Sequence, residues 1–132
     1  MIYLFDTNAI SDLINQNQAF FTHFRQVIIE NNRLAVCLPV YYELYRGLIW
    51  RKQEKKLAAL QKIILPQFEM FPFVEDDWLQ AARFWSSAVS HGKQINDIDL
   101  FVAALAYRLD ATIVSSDNDF DALPVKRENW RG

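Results

Sequence analysis

Hydrophobic residues in this chain form two kinds of pattern, short continuous runs and longer stretches with helical spacing. Short apolar runs bounded by polar residues predict buried strands, and apolar residues three and four positions apart predict amphipathic helices. The runs predict strands at about positions 2–5, 34–38, 68–73, 111–116 and 124–129. The periodic stretches predict helices at about positions 8–15, 19–31, 75–91 and 96–109, with two more between Pro39 and Leu65.

The alternation of strands with helices predicts an α/β fold with a central, mostly parallel sheet of about five strands and helices on both faces. A chain of 132 residues has room for one core, and no low-complexity stretch indicates a linker. We therefore expect a single domain over residues 1–132. In such sheets ligands bind beyond the carboxyl ends of the strands, so residues that follow strands are the first candidates for a site.

Composition limits the classes of function. The net charge of −2 and the pI of about 5.6 do not indicate a nucleic-acid binder from bulk charge, so any such role must be local. The single cysteine, Cys37, agrees with a reducing compartment, and the chain has neither a long apolar segment nor a signal-peptide pattern. We expect a cytoplasmic protein. Aromatic residues make up 14% of the chain, which indicates a surface for a partner.

Acidic residues follow two of the predicted strands. Asp6 ends the run "IYLFD", and Asp117 follows "TIVSS" in the same way. A helix N-cap needs one short polar residue, and Thr7 or Asn8 can supply it, which leaves Asp6 without an assigned structural role. Since the carboxyl ends of parallel strands meet at one edge of a sheet, we expect Asp6 and Asp117 to lie close together.

Two further acidic groups are candidates for the same site. Asp99 lies near the start of the helix "NDIDLFVAALAYRL", where the alternative reading is a capping interaction with Asn96. Glu43 lies among aromatic and apolar residues in "YYELYRGL", where the alternative is an exposed ion pair with Arg46. Taken separately, each acid has an ordinary structural explanation.

The helix start carries two acids, Asp97 and Asp99, which point to different faces because they are two positions apart. The face of Asp99 continues through Ala103, whereas the face of Asp97 carries Phe101. Small residues allow a helix to pack close beside the first strand, so we expect Asp99 rather than Asp97 to reach the site of Asp6.

Clustered carboxylates need an offsetting charge, because two charges about 4 Å apart repel by about 4 kcal/mol at an effective dielectric constant of about 20. Divalent cations that prefer oxygen ligands supply that charge, and Mg²⁺ commonly takes one or two carboxylates while keeping water and phosphate as its other ligands. The four acids therefore predict a site for Mg²⁺ or Mn²⁺.

Four blocks of the chain, "FDTNAI", "YYELYRG", "DIDLFVAALA" and "IVSSDNDF", resemble in their order the signature of PIN-domain nucleases. Their approximate spacing and the chain length are similar to those of the VapC toxins of type II toxin–antitoxin systems. The resemblance implies a Mg²⁺- or Mn²⁺-dependent endoribonuclease that hydrolyses RNA with a metal-activated water. It also implies a cognate antitoxin protein and a homodimer.

The resemblance also assigns roles to residues. It implies that the catalytic residues and metal ligands are Asp6, Glu43, Asp99 and Asp117. Residues expected to support these ligands are Asn8, Ser115, Asp97 and Asp119, with Ser115 at a position where this family usually has threonine. Residues that could contact RNA or the antitoxin are Arg46, Arg51, Lys52, Lys55 and Lys56, for which a solvated helix face is the alternative.

Two other functions are compatible with an acid after the first strand. An aspartyl-phosphate phosphatase uses that Asp as its nucleophile, but usually has a second Asp two residues later, where this chain has Asn8. A non-catalytic receiver-like module would use the acidic pocket only to hold a cation. Cleaved RNA, free phosphate or the absence of turnover would separate the three.

Overall fold

The central sheet is confirmed by the computed structural model, which describes residues 1–131. Every neighbouring pair of strands is parallel, in the order β3-β2-β1-β4-β5. The strands are β1 Ile2–Phe5, β2 Arg33–Val36, β3 Glu69–Met70, β4 Thr112–Val114 and β5 Lys126–Glu128. The last of these is the edge strand that the sequence predicts near positions 124–129.

Within residues 1–131, six α-helices connect these strands. They are α1 Thr7–Ile14, α2 Gln18–Ile29, α3 Leu38–Trp50, α4 Glu54–Ala59, α5 Glu75–Ser90 and α6 Asp97–Leu109. The predicted lysine-rich helix is shorter than expected, because the chain after α4 continues as a π-helical turn and then a 3₁₀ turn. Within residues 1–131, none of the helices combines the length and apolar character that a membrane span requires.

Strand β2 ends earlier than the sequence predicts. Cys37 was expected inside the strand, but it is the N-cap of α3, which begins at Leu38 rather than at Pro39. The backbone of Cys37 is still extended, which suits the residue before a helix start. The side chain is fully buried, as its place in an apolar run indicates.

Strand β1 is covered on both faces. Successive side chains of a strand point to opposite faces, and Tyr3, Leu4 and Phe5 are all buried. This agrees with helices on both sides of a parallel sheet. The ring of Phe5 contacts the rings of Phe20, Phe24, Phe68 and Trp130. These contacts fix the position of the residue that follows Phe5, which is Asp6.

The strand order changes direction at β1. Strands β2 and β3 lie on one side of it, and β4 and β5 lie on the other. Crevices of open α/β sheets form at such switch points, beyond the carboxyl ends of the strands. Asp6 continues the pairing of β1 with β4, because its backbone N–H donates to the carbonyl of Val114 at 3.3 Å. The carboxylate of Asp6 therefore starts at the mouth of this crevice.

Candidate active site

A pocket of about 490 Å³ lies at the switch point and is lined mainly by polar side chains. It brings together the four predicted carboxylates, which are Asp6, Glu43, Asp99 and Asp117. They come from four separate segments of the chain, namely the end of β1, helix α3, the start of α6 and the residues after β4. Only the folded sheet places these segments at one pocket.

Asp6 is the N-cap of α1, and its Oδ1 accepts a hydrogen bond from the backbone N–H of Ala9 at 2.8 Å. The prediction that Thr7 or Asn8 caps this helix is therefore wrong. The cap geometry needs a residue with an extended backbone before the first helical turn, and Asp6 has φ −83° and ψ −179°. One residue thus closes the helix and presents a carboxylate to the pocket.

The ionised form of Asp6 is disfavoured by its surroundings. Burial of its side chain is the largest cause that raises its pKa, and the charges of Asp117 and Asp12 raise it further. Hydrogen bonds from the Ser115 side chain and from Ala9 lower the pKa, which comes to about 6. The buried side chain of Ser115 therefore favours the ionised form of Asp6.

Asp99 shares a reciprocal capping interaction with Asn96. The Asn96 Oδ1 accepts from the backbone N–H of Asp99 at 2.9 Å, and its Nδ2 donates to Asp99 Oδ2 at 3.0 Å. The structural explanation for Asp99 is thus correct, and it coexists with a place in the pocket. Burial, followed by the charges of Asp6, Asp117 and Glu43, raises the pKa of Asp99 to about 7. The charges of the other three acids of the pocket therefore act on Asp99.

Glu43 is held by Thr7, a residue that the sequence indicates only as a possible helix cap. The Thr7 Oγ1 donates a hydrogen bond to Glu43 Oε1, which ties the start of α1 to α3. Arg46 Nη2 lies 3.6 Å from the other oxygen of Glu43, so the expected ion pair is also present. Since Asp6 already caps α1, the hydroxyl of Thr7 is free to orient Glu43.

The segment after β4 forms a chain of polar contacts. The Ser115 hydroxyl accepts from the backbone N–H of Asp117 at 2.9 Å, and Asp117 Oδ1 accepts from the N–H of Asp119 at 2.9 Å. The carboxylate of Asp119 forms an ion pair with Lys93 at 2.8 Å. Asp119 therefore stabilises this segment without being among the described residues that line the pocket, whereas Asp117 lines it.

Two other predicted supporting residues have different positions. Asn8 lines the pocket. Asp97 lines a separate groove between α5 and α6, which is not the pocket of the carboxylates. The two acids of this helix thus lie on different surfaces, with Asp99 on the side expected from the small residues of its face.

The five predicted basic contacts do not form one surface. Arg51 and Lys56 line the pocket, and Arg46 pairs with Glu43. Lys52 and Lys55 are exposed and lie outside the lining that the described residues form.

Arg127 lies near the acidic cluster, although the sequence only suggested an edge strand there. Its guanidinium donates to both oxygens of Asp121, at 3.0 and 2.8 Å, and to the carbonyl of Ser115 at 3.1 Å. The hydrogen bond to Asp121 is the main cause that raises its pKa, and the charges of Asp117 and Asp6 contribute. Two adjacent basic residues, Lys126 and Arg127, in a polar edge strand give no signal that could have identified this contact.

The carboxylates of the pocket fit Mg²⁺ or Mn²⁺ if the protein supplies only part of the ligands of the cation. Across residues 1–131, no three side chains of the His, Cys, Asp or Glu type converge into a complete metal-binding group. Mg²⁺ is usually bound by one or two carboxylates, with water and substrate phosphate as the remaining ligands. The raised pKa values of Asp6 and Asp99 also indicate an acidic pocket that a cation would stabilise.

Comparison with known proteins identifies relatives along nearly the whole chain. A sequence model described as the PIN domain matches residues 3–126. Ribonuclease VapC1 of Haemophilus influenzae is 24% identical over 116 residues, which cover 87% of this chain and 86% of that protein.

Two solved structures share the fold over both chains. The structure of VapBC2 from Rickettsia felis, bound to a DNA fragment from their promoter, matches with a TM-score of 0.88 and 26% identity. It covers 98% of this chain and 99% of the matched chain. FitAcB from Neisseria gonorrhoeae matches with a TM-score of 0.84 and 29% identity, over 98% of this chain and 97% of the matched chain.

Proposed function

The chain belongs to the PIN domain family, and from this premise we propose that it is the toxin of a type II toxin–antitoxin system. Its activity is the endonucleolytic hydrolysis of RNA phosphodiester bonds with Mg²⁺ or Mn²⁺. The relative named as a ribonuclease and the VapBC structure support this proposal. The observation that carries it is the convergence of four carboxylates on one pocket at the switch point of the sheet.

In this proposal Asp6 and Asp99 hold the cation, and Glu43 and Asp117 complete its surroundings directly or through water. When bound, such a cation activates water as a nucleophile and offsets the charge that develops on the phosphate. The Ser115 side chain lowers the pKa of Asp6 and so favours the ionised carboxylate that a cation requires.

The other pocket residues orient the reactants. Glu43 is fixed by Thr7, so it can accept a hydrogen bond from the attacking water in a constant direction. Asn8 lines the pocket beside these acids and offers an amide to a phosphate oxygen. Without a cation the acidic pocket repels phosphate, so RNA binding and cation binding support each other.

Exposed aromatic side chains support the proposed protein partners, a cognate antitoxin and a second copy of this chain. Trp50, Trp78 and Trp85 are 84%, 49% and 53% exposed, which is unusual for such large apolar groups. The VapBC and FitAcB relatives support the antitoxin in particular. We place this activity in the cytoplasm, where RNA is accessible.

The test is cleavage of a fluorescently labelled single-stranded RNA by the purified protein. We expect fragments with 5′-phosphate ends in Mg²⁺ or Mn²⁺, and none in excess EDTA. The Asp6→Asn variant, which keeps side-chain volume and removes one charge, should be inactive although folded by circular dichroism. Cleavage that persists in EDTA, or full activity of the folded variant, would overturn the proposal.

A further inference from the structure

The pocket continues beyond the carboxylates, along helices α1 and α3. At one end Thr7 of α1 contacts Glu43 of α3. At the other end Asn15, which follows α1, accepts a hydrogen bond from Lys56 Nζ at 2.9 Å. Asp6 and Asn15 are nine residues apart, so the two ends are separated by about 13 Å at about 1.5 Å per helical residue.

The far end of the pocket is basic. Arg51 and Lys56 line it together with the polar side chains of Asn15 and Gln53. Within residues 1–131 neither Arg51 nor Lys56 forms an ion pair with a carboxylate, so their charges are not neutralised by those residues. Along its length the pocket therefore changes from acidic to basic.

The side chain of Arg51 folds back over α3 at Gly47. A Cβ atom added to Gly47 would lie 2.7 Å from Arg51 Nη2, closer than such atoms approach. The absence of a side chain at position 47 thus permits this placement of the guanidinium. Because Arg51 is long and flexible, a methyl group there would move the guanidinium without changing its charge.

We propose that Arg51 and Lys56 form a subsite for the RNA backbone, each holding a phosphate at a distance from the bond that is cleaved. The inference rests on the proposed ribonuclease function. A stacked strand advances by about 3.4 Å per nucleotide, so the phosphate held at Lys56 is about four nucleotides away, and fewer if the strand is unstacked. The phosphate held at Arg51 is nearer to the cleaved bond, because the guanidinium folds back to Gly47. Guanidinium and ammonium groups are the usual partners of phosphate oxygens.

The apolar residues between the two ends support this path. Ile14, Leu44 and Leu48 line the pocket between its polar ends, since they lie on the facing turns of α1 and α3. Leu44 and Leu48 are mostly buried, so this floor is a narrow apolar strip past which the backbone reaches the charged groups, and phosphate contacts carry no sequence information. The subsite is therefore independent of base sequence.

A matched pair of double variants tests the subsite. Arg51→Gln/Lys56→Gln and Lys52→Gln/Lys55→Gln remove two positive charges each from one short segment, but only the first pair lines the pocket. For cleavage we expect the first pair to raise KM with little change in kcat, and the second to resemble wild type. Gly47→Ala should raise KM less than Arg51→Gln does, because it displaces the guanidinium but keeps its charge.

Binding gives a second readout, measured by anisotropy of a labelled RNA in the Asp6→Asn background. Loss of two phosphate contacts should make the slope of log affinity against log salt shallower by about 1.4, since each contact contributes about 0.7 on a single strand. Referred to 1 M salt, this slope corresponds to about tenfold weaker binding at about 0.15 M. The control pair should keep the original slope.

RNA length separates a binding subsite from a structural effect. Once the cleaved bond is mapped, RNAs shortened from either side can be compared. The rise in KM of Arg51→Gln/Lys56→Gln over wild type should disappear when the RNA is trimmed on the side that reaches the subsite, because neither protein then binds a phosphate there. It should persist when the RNA is trimmed on the other side of the cleaved bond. Equal defects in both double variants, or a defect insensitive to trimming, would overturn the subsite. Absence of cleavage by wild type would instead refute the ribonuclease function itself.

Discussion

Replacement of Asp6 by Asn should stabilise the protein in the absence of metal. Asn has nearly the volume of Asp, is as good an N-cap, and can still accept the hydrogen bond from Ala9. What it removes is a charge that is 3% exposed and lies among other acids. Functional residues commonly reduce stability in this way, because they are selected for chemistry.

The magnitude follows from the pKa of Asp6, which is 3.8 as a reference and about 6 in the folded protein. The folded state holds the proton more tightly than the unfolded state, so the free energy of unfolding falls as the pH rises from the lower value through the higher one. Two pKa units correspond to about 3 kcal/mol. Relative to wild type, we expect Asp6→Asn to gain about 1 kcal/mol near pH 4.5 and about 3 kcal/mol near pH 7.5.

The assay is urea unfolding at these two pH values in EDTA, with Asp12→Asn as the control. Asp12 is also a buried acid of α1, but both of its oxygens accept hydrogen bonds from Arg131, at 2.8 and 3.0 Å. Its replacement should cost about 1 kcal/mol, because a charge-assisted pair is broken. If Asp6→Asn were destabilising at neutral pH, or its effect did not grow with pH, the electrostatic reasoning would be refuted.

Variants at three further places test the site. Asp99→Asn should abolish cleavage while Asp97→Asn retains most of it, because only Asp99 lines the pocket; cleavage rates in the reverse order would contradict this. Thr7→Val should lower kcat about tenfold by releasing Glu43, with Thr7→Ser restoring the rate, and unchanged kcat in the valine variant would count against an orienting role. Arg127→Met should lower the free energy of unfolding in urea by about 2 kcal/mol, since three hydrogen bonds are lost, and a neutral result would show them to be dispensable.

The sequence predicted the sheet and the two strand-end acids of the pocket because both depend on local signals, whereas Glu43 and Asp99 stood out only when the four acidic blocks were taken together. Apolar runs ended by Asp6 and Asp117 indicate strands that stop at one edge, and parallel topology brings those ends together. The face of Asp99 could be chosen from helical spacing and the small size of Ala103. The roles of these acids in catalysis stay predictions until the variants are measured.

Features that depend on side-chain geometry between elements were not predictable in this way. The contact of Thr7 with Glu43 joins residues 36 positions apart, and no local pattern indicates which hydroxyl will turn toward which acid. The helix cap was misassigned because three residues in a row could each serve, and only the backbone angles at Asp6 decide between them. Lys56 lines the pocket and its neighbour Lys55 does not. This difference likewise depends on how α4 is rotated against the end of α1.

The charge gradient of the pocket follows from the directions of its helices. Peptide dipoles give a helix a partial positive charge at its N-terminus and a partial negative charge at its C-terminus. Asp6 caps the start of α1 and Asp99 lies in the first turn of α6, so both acids occupy ends that favour negative charge. Arg51 is the C-cap of α3, where a positive charge is favoured. Thr7 at the start of α1 contacts Glu43 in the middle of α3, so the acids collect at one end of the pocket and make it suited to a cation, while Arg51 after the last turn of α3 contributes the positive charge that suits a phosphate.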